Sequence, residues 1–350
     1  MLGMSSPGLN IAAIGGGTGL STLLRGLKQY VDVVGPRSIG TLGAIVTVTD
    51  EGGSSGVLRK EFGMLPPGDI RNCIVALAEE EQLLSRLFSY RFDTDSALKG
   101  HSLGNLLLTA MTDITGSFDS AVLAASEVLA IRGEIYPSTL EDVRLRATLE
   151  DGSELIGEVA ISGSDIGEVP RTTARHGRIT HLALDPPHVQ PTDRALAALA
   201  AADLIIIGPG SLYTSVLPNL VIEPIAETLR HVRALRVYIC NVMTQPNETD
   251  GYTAQDHLRA IIEHAGLVVD VMVINGRRPS DEILANYAAM NQIPVQFDLD
   301  EIRALGVTPF FGDIIAEGNF VRHDPAALAQ TIFQLYDRYG RALERMRKES

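Results

Sequence analysis

The sequence predicts an α/β protein with a Rossmann-like, doubly wound and mostly parallel sheet that contains a small antiparallel β insertion. Three observations lead to this prediction. Short apolar runs end in glycine-rich or polar loops and are followed by residues at helical spacing. The run over residues 203–207 is almost continuously apolar, as in the middle of a parallel sheet. Between residues 133 and 185, strand-like alternation replaces the helical pattern.

The first elements along the chain form a strand, a glycine turn and a helix. Residues 10–14 are apolar, residues 15–19 have the sequence Gly-Gly-Gly-Thr-Gly, and leucines then recur at helical spacing up to residue 27. An irregular excursion is predicted over residues 35–43 and a second strand over residues 44–49. This order is that of a βαβ unit in a parallel sheet.

Two helices are predicted after the second strand. Asp69 follows Pro66-Pro67-Gly68 and is predicted to be the N-cap of a helix that continues to residue 78. The next helix is predicted to begin near His101 and Ser102 and to run through residue 111. Both helix starts are polar, and both are candidates for closing a ligand site.

The middle of the chain is predicted to form a hairpin. Residues 143–150 alternate between apolar and polar side chains, and Asp151-Gly152 separates them from a strand-like stretch over residues 155–161. The core then resumes with strands over residues 203–207, 237–240 and 268–274. The predicted units are one nucleotide-binding core over residues 1–132 and 186–325, an antiparallel insertion over residues 133–185, and a C-terminal helix over residues 326–350.

Composition excludes several classes of protein. The chain has 350 residues, with 29 basic and 43 acidic side chains and a net charge of −14, which argues against a nucleic-acid partner. Cys73 and Cys240 stand far apart and are predicted to be buried thiols. The N-terminus lacks a basic leader, and the longest apolar stretch, residues 196–207, is too short for a membrane span. A cytoplasmic location is therefore expected.

Four strand-end loops are predicted to form one ligand site, because ligands of open parallel sheets bind beyond the carboxyl ends of the strands. We call them the first (residues 15–19), second (50–55), third (208–215) and fourth (241–252) loops. Their candidate binding residues are Gly15, Gly16, Gly17, Thr18, Gly19, Asp50, Gly208, Gly210, Ser211, Tyr213, Thr214, Asn241, Thr244 and Gln245. Two helix starts and a late cationic turn add Asn72, His101, Asn105 and Arg322.

The residue types in these loops point to a phosphorylated, nucleotide-like ligand. Glycines let the backbone approach a phosphate, and the helix after the first loop directs its N–H groups toward an anion. The first loop lacks the full G-x-G-x-x-G pattern and the lysine of a P-loop. Asp50 follows Gly17 by 33 residues, and it could hold a ribose, a hexose hydroxyl or Mg²⁺. The hydroxyls of Ser211, Thr214 and Ser215 suit a second phosphate or a sugar.

Structural explanations remain open for each of these features. Every loop also fits a turn required only for packing or helix capping, and Arg322 also fits a solvated surface residue. The sequence contains no Ser-His-Asp elbow or H-E-x-x-H motif. It therefore favours binding over catalysis.

Six segments in order resemble the YvcK-like gluconeogenesis factors of the CofD (2-phospho-L-lactate transferase) superfamily. The segments are Gly15-Gly16-Gly17-Thr18-Gly19-Leu20, Asp50-Glu51-Gly52-Gly53-Ser54-Ser55-Gly56, Pro66-Pro67-Gly68-Asp69-Ile70-Arg71-Asn72, Gly100-His101-Ser102-Leu103-Gly104-Asn105, Gly208-Pro209-Gly210-Ser211-Leu212-Tyr213-Thr214-Ser215 and Asn241-Val242-Met243-Thr244-Gln245-Pro246. One departure is Glu51, where the family usually has a second aspartate.

The resemblance implies a protein that binds UDP-sugars such as UDP-N-acetylglucosamine. It also implies a role in cell shape and cell-wall synthesis on gluconeogenic carbon sources, with cell-wall or morphogenesis proteins as partners. Arg322 is implied as a residue that holds the ligand, and no cofactor is expected to be required. A homodimer is the oligomeric state that general frequency favours.

Two enzymatic alternatives remain. The CofD branch implies a transferase that moves a phospholactyl-type group from a nucleotide diphosphate carrier, with Mg²⁺ held by Asp50. A NAD-dependent oxidoreductase is disfavoured by the incomplete glycine fingerprint and by the long spacing to Asp50.

Overall fold

A parallel sheet of seven strands forms the centre of the protein. The computed structural model describes residues 8–79, 81–93, 95–163, 177–318 and 320–340. Numbered in chain order, the strands are β1 Leu9–Gly15, β2 Ile39–Val46, β3 Glu134–Pro137, β4 Arg144–Leu149, β5 Glu154–Ile156, β6 Ile179–Asp185, β7 Leu204–Ile207, β8 Leu235–Ile239, β9 Val271–Asn275, β10 Thr308–Gly312, β11 Ile315–Glu317 and β12 Val321–His323. The spatial order of the central sheet is β10-β9-β8-β7-β1-β2-β3.

The order of the strands reverses at β1. This strand pairs in parallel with β2 on one side and with β7 on the other, so Ile14 lies between Ile45 and Ile207. All four residues of β7 are fully buried, as its apolar sequence predicts. A reversal of this kind opens a crevice beyond the carboxyl ends of the two central strands. The predicted doubly wound parallel sheet is confirmed.

Helices cover the sheet. They are α1 Gly17–Leu27, α2 Gly53–Phe62, α3 Gly68–Leu77, α4 Glu81–Ser89, α5 Leu103–Thr115, α6 Phe118–Val128, α7 Glu158–Ser162, α8 Asp193–Ala201, α9 Leu217–Leu220, α10 Glu223–His231, α11 Ala254–Ala265, α12 Asp281–Ala289, α13 Leu299–Ala304 and α14 Pro325–Leu335. Helix α1 packs between α3 and α14, whereas α10 packs against α8 and α11. None of the helices in these described ranges is long and apolar enough to cross a membrane.

The leucines after the first loop anchor α1 in the core. Leu20, Leu23, Leu24 and Leu27 are fully buried, as their helical spacing predicts. On another side of the helix, Gly26 lies directly against the backbone of Pro325 at the start of α14. Removing these side chains from water supplies much of the free energy that holds α1, and with it the first loop, in place.

A second sheet is antiparallel and has the order β5-β4-β6. The predicted Asp-Gly turn is confirmed, since Gly152 has a φ of 82° and links β4 to β5. The strand predicted over residues 155–161 ends at Ile156, and α7 follows it. The reason lies at Gly157, which has a φ of 95° and packs against the Glu51 carboxylate, so the chain turns there instead of extending.

The structure also corrects the excursion predicted over residues 35–43. Strand β2 begins at Ile39, so half of this stretch belongs to the sheet. Gly43 lies within this strand. The ring of Tyr136 on β3 fills the space beside it, 2.9 Å from where a Cβ would lie, which explains a glycine at this strand position. Strand β3 falls within the range predicted as insertion, yet it pairs with β2 in the central sheet.

Two helix starts carry a side-chain cap, and a third differs from the prediction. Ser102 caps α5 through Asn105 N–H, and Asp324 caps α14 with Pro325 in the first turn. The prediction that Asp69 caps α3 is wrong, since the helix begins at Gly68 with Pro67 at the N-cap. The carboxylate of Asp69 accepts a hydrogen bond from Gly17 N–H instead.

The remaining expectations concern the cysteines and the C-terminus. Cys73 and Cys240 are buried free thiols, as predicted. Helix α14 ends at Leu335 and a π turn covers Tyr336–Gly340. Residues 341–350 of the predicted C-terminal helix lie outside the described residues. The division of the chain into core, insertion and C-terminal helix stays a prediction.

Replacing Gly26 by alanine should destabilise the protein by roughly 1–3 kcal/mol, the usual cost of overpacking. The new methyl group would overlap the carbonyl oxygen of Pro325, so α1 and α14 must move apart. Urea unfolding at constant pH measures the change. Gly318→Ala is the matched control, because a Cβ there meets no atom within 4 Å. Equal stability of the two variants would contradict the close contact between the helices.

Candidate functional site

A cavity of about 730 Å³ opens beyond the carboxyl ends of the central strands. It lies where the strand order reverses, as expected for a doubly wound sheet. Among the residues predicted from the sequence, those that line it are Gly16, Gly17, Thr18, Gly19, Asp50, Gly210, Ser211, Thr214, Asn241, Thr244, Gln245 and Arg322. The structure thus brings residues of all four predicted loops to one cavity.

The first and third loops are in direct backbone contact. A Cβ at Gly19 would overlap the carbonyl oxygen of Pro209, so only glycine fits there. Helix α1 begins at Gly17, which has a φ of 62°, and no side chain of its own first turn caps it. The first-turn N–H groups of α1 and its positive dipole end therefore lie beside the cavity, next to the third loop.

Two buried side chains hold the third loop in place. Asn219 Nδ2 donates to Gly15 O at 3.2 Å and to Ser215 O at 2.9 Å. The carboxylate of Glu248 accepts from Tyr213 N–H at 3.1 Å and from the Thr214 hydroxyl at 3.0 Å. The third loop is therefore linked to the first loop by an amide and to the fourth loop by a carboxylate.

Polar side chains of the third and fourth loops form a chain of hydrogen bonds, which we call the relay, along the cavity. Asn241 Nδ2 donates to Gln245 Oε1 at 2.9 Å, and Gln245 Nε2 donates to Ser211 Oγ at 2.8 Å. Ser211 accepts in this relay, so its hydroxyl proton can be donated to a ligand. Within the described ranges, Asn241 Oδ1 is buried without a hydrogen-bond partner.

One side of the cavity is acidic, and we call Asp50, Asp69 and Glu158 the acidic wall. Asp50 Oδ1 accepts from Gly52 N–H at 2.8 Å, and Glu158 Oε2 accepts from Glu51 N–H at 3.2 Å. Burial, together with the charge of Asp50, raises the pKa of Asp69 to about 7 and that of Glu158 to about 8. Asp69 and Glu158 therefore retain protons near neutral pH.

Another side is aromatic and cationic. Tyr287 and Phe320, which we call the aromatic wall, pack edge to face with ring centroids 6.0 Å apart. The Tyr287 hydroxyl donates to Val321 O at 3.3 Å, whereas Phe320 is 47% exposed. Arg322 follows on β12 and lines the same cavity. Burial lowers the pKa of the neighbouring His323 to about 4, so this imidazole is neutral at pH 7.

Three predicted residues lie in a network beside the cavity instead of lining it. His101 Nδ1 is 3.1 Å from Ser54 Oγ, and Asn105 Nδ2 donates to the same hydroxyl at 3.2 Å. Arg71 donates to Asn105 Oδ1 at 3.1 Å and to Asn72 Oδ1 at 2.9 Å. These contacts fix the start of α2, which directly follows Asp50 and Glu51.

The other predicted residues lie behind the loops. Gly15 ends β1 and Gly208 follows β7, and neither of them lines the cavity. Tyr213 is buried, and its hydroxyl lies 2.8 Å from that of Tyr252 and 3.3 Å from Ile179 O. Tyr213 thus connects the third loop to β6 of the antiparallel sheet.

Glu51, which departs from the family pattern, points away from the cavity. Its carboxylate lies 3.8 Å from Arg59 and 3.5 Å from Arg144 on β4, and it packs on Gly157. The extra methylene of glutamate therefore extends toward the antiparallel sheet and not toward a ligand.

Several cavity residues were missed from the sequence: Thr22, Arg25, Asp69, Glu158, Tyr287, Gln292 and Phe320. Helical spacing from Thr18 could have found Thr22 and Arg25, since all three lie on one face of α1. Asp69 was interpreted only as a helix cap. Glu158, Tyr287 and Phe320 are brought in by distant elements, and no local pattern marks them.

The raised pKa of Glu158 predicts a pH-dependent stability. A carboxyl whose pKa is higher in the folded than in the unfolded state favours folding while it is protonated, and this stability is lost as pH rises. As pH rises from near 4.5 to near 8, the unfolded chain loses this proton while the folded protein keeps it, so the free energy of unfolding falls across this pH range. Allowing for partial solvent screening, the wild type should lose roughly 1–2 kcal/mol between pH 6 and 9 through this group.

Glu158→Gln removes the titrating group and should flatten this pH dependence. Urea unfolding of both proteins at pH 6 and pH 9 measures the difference. Glu154→Gln, at an exposed position on β5, is the control and should follow the wild type. The same slope in Glu158→Gln as in the wild type would show that the carboxyl titrates normally.

Comparison with known proteins places the chain in a family. The family model of CofD, 2-phospho-L-lactate transferase, matches residues 11–315. The gluconeogenesis factor of Bacillus subtilis is 44% identical over 328 residues, covering 93% of this chain and 97% of that protein. The gluconeogenesis factor of Halalkalibacterium halodurans is 45% identical over 329 residues, covering 93% and 96%.

Solved structures agree with this placement. The crystal structure of a UPF0052 family member from Bacillus halodurans has a TM-score of 0.85 and 44% sequence identity, covering 94% of this chain and all of that one. The chain belongs to the CofD family, within which it groups with the bacterial gluconeogenesis factors.

Proposed function

We propose that this protein binds a nucleoside-diphosphate sugar of the UDP-N-acetylglucosamine type and acts as a regulator. It would report the supply of a cell-wall precursor during growth on gluconeogenic carbon sources, and so affect cell shape. The ligand is a cytoplasmic metabolite, so a cytoplasmic location and a protein partner in wall synthesis belong to the same proposal. A homodimer is also part of this proposal.

The single observation behind the proposal is the distribution of chemistry around the cavity. The start of α1 and the glycines of the first and third loops suit a diphosphate, with Arg25 and Arg322 lining the same space. Hydroxyls and amides of the third and fourth loops offer hydrogen bonds to a sugar or a base. A volume of about 730 Å³ lies within the range of small-molecule sites.

A regulatory role is supported by the names of the relatives and by the environment of the cavity hydroxyls. The Bacillus subtilis and Halalkalibacterium halodurans relatives are called gluconeogenesis factors. In this chain the Ser211 hydroxyl is paired with the amide of Gln245, which cannot remove a proton. These hydrogen bonds therefore provide no general base that could activate Ser211 as a nucleophile.

The alternative is a CofD-like transferase that moves a phospholactyl-type group from a nucleotide diphosphate carrier. Its support is the family model, together with Asp50 and Asp69 beside the start of α1. Mg²⁺ is commonly held by one or two carboxylates plus ligand phosphates, and these two aspartates fit that pattern. Within the described ranges, no group of three His, Cys, Asp or Glu could hold an ion, so the ligand would have to complete the site. Bound Mg²⁺ would neutralise charge on the phosphates.

Calorimetric titration separates these functions. The purified protein is titrated with UDP-N-acetylglucosamine, GDP and NAD, and the tightest ligand is then incubated with the protein and Mg²⁺. Binding of the UDP-sugar without turnover is the expected result. Turnover, or a preference for GDP with transfer to a deazaflavin acceptor, would replace the regulator by the transferase. A preference for NAD would overturn both.

Arg322→Ala should weaken binding of UDP-N-acetylglucosamine by roughly 1.5–3 kcal/mol, because a diphosphate loses its charge-assisted hydrogen bonds. The same titration measures the loss. Arg303→Ala, at an exposed position on α13, is the control and should leave affinity unchanged. Unchanged affinity in Arg322→Ala would remove this side chain from the site.

A further inference from the structure

We propose that the nucleotide sugar lies across the cavity in one direction. Its base packs on the aromatic wall, its diphosphate lies at the start of α1, and its sugar lies against Asp50 and Glu158 of the acidic wall. This inference rests on the proposed function and makes it more specific. It assigns Phe320 to the base and makes Glu158 the residue that selects the sugar.

The order of the strands determines the positions along the cavity. The first and third loops follow β1 and β7, which are neighbours at the centre of the sheet. Asp50 follows β2 on one side of this centre. The fourth loop follows β8 on the other side, and Tyr287 belongs to the helix after β9. The acidic and aromatic walls therefore lie on opposite sides of the glycine loops.

The diphosphate belongs at the centre. Gly17 N–H already donates to Asp69, and the first turn of α1 provides the backbone N–H groups that follow it. The glycines of the two loops leave space for a phosphate to approach the backbone closely. Arg25 and Arg322 line the same cavity and can balance its charge. On the β2 side the charge of Asp50 repels a phosphate, so the diphosphate stays at the glycine loops.

The base belongs on the aromatic wall. Phe320 lines the cavity and is 47% exposed, so it offers ring surface for a planar heterocycle. Tyr287 packs edge to face on Phe320 and is itself held by its hydrogen bond to Val321 O. Gln292 and Asn241, which line the same side, carry amides that can pair with the edge of a base.

The sugar then lies at the acidic wall. A sugar is rich in hydroxyls, and a carboxylate accepts hydrogen bonds from them. A protonated carboxyl such as that of Glu158 can both donate to and accept from a hydroxyl. Among the described residues that line the cavity, the two with aromatic rings of the phenyl type, Tyr287 and Phe320, both lie on the β8–β9 side. A base placed at Asp50 and Glu158 would therefore lose its stacking partner.

Glu158 reaches the sugar position from the antiparallel insertion. It is the first residue of α7, directly after β5, and its Oε2 is fixed by the N–H of Glu51. Removing its side chain should affect only ligands that carry a sugar beyond the second phosphate. Removing the Phe320 ring should weaken the binding of every ligand that carries the base.

Three probes and two variants test the direction. Full-length wild type, Phe320→Ala and Glu158→Ala are titrated with UDP-N-acetylglucosamine, UDP and inorganic diphosphate. Phe320→Ala should weaken UDP and UDP-N-acetylglucosamine by about tenfold each, the loss expected when a stacked base loses its partner, and leave diphosphate unchanged. Glu158→Ala should weaken UDP-N-acetylglucosamine severalfold and leave UDP unchanged.

Controls separate binding from folding. Phe62→Ala and Glu154→Ala change an exposed phenylalanine and an exposed glutamate away from the cavity, and both should bind all three probes as the wild type does. Phe320→Tyr keeps the ring and should retain affinity for UDP. Thermal unfolding of each variant checks that it is folded before titration.

The outcomes distinguish this inference from the function on which it rests. If the wild type binds UDP and Phe320→Ala does not weaken it, or if Glu158→Ala weakens UDP as much as UDP-N-acetylglucosamine, the direction is wrong and the proposed function stands. A reversed pattern, with Glu158→Ala weakening UDP and Phe320→Ala weakening only the sugar form, places the ligand the other way round. If the wild type binds neither UDP nor UDP-N-acetylglucosamine, the proposed function itself is overturned.

Discussion

The backbone contact between the first and third loops is the constraint on which the site depends. Gly19 lies so close to Pro209 O that no side chain fits, and Asn219 links Gly15 to Ser215 from below. This contact sets the distance between the start of α1 and the loop after β7. Because the two loops follow adjacent parallel strands, a phosphate bound between them would meet backbone groups from both sides.

The charge of the side chains around the cavity depends on their burial as well as on their residue type. Asp69 accepts from Gly17 N–H at the start of α1, where the helix dipole favours an anion, yet burial and Asp50 raise its pKa to about 7. Glu158 has a pKa of about 8 for the same reasons. An acidic protein can therefore bind an anionic ligand, because its net charge says little about the local potential at the glycine loops.

The antiparallel sheet is linked to the loops around the cavity. Tyr213 and Tyr252 both direct their hydroxyls to Ile179 O on β6, and Leu182 N–H donates to His264 Nε2 on α11. These hydrogen bonds link the third loop, the end of the fourth loop and the central core to the strand that completes the small sheet. Helix α7, which follows β5 of this sheet, brings Glu158 to the cavity, so the position of the antiparallel sheet affects the shape of the cavity.

The sequence by itself determined the parallel sheet, the four loops and most of their cavity residues, because strand periodicity and glycine turns are local properties and parallel strands share one edge. It could not place Asp69 at the start of α1, which depends on how α3 packs against α1. It could not predict that His101 lies beside the cavity instead of lining it. It also could not predict that Glu158 and Phe320 line the same cavity. Those positions follow from contacts between segments far apart in the chain, and such contacts leave no repeating pattern in the sequence. Tertiary packing decided which of the polar residues near the strand ends line the cavity and on which side each one lies.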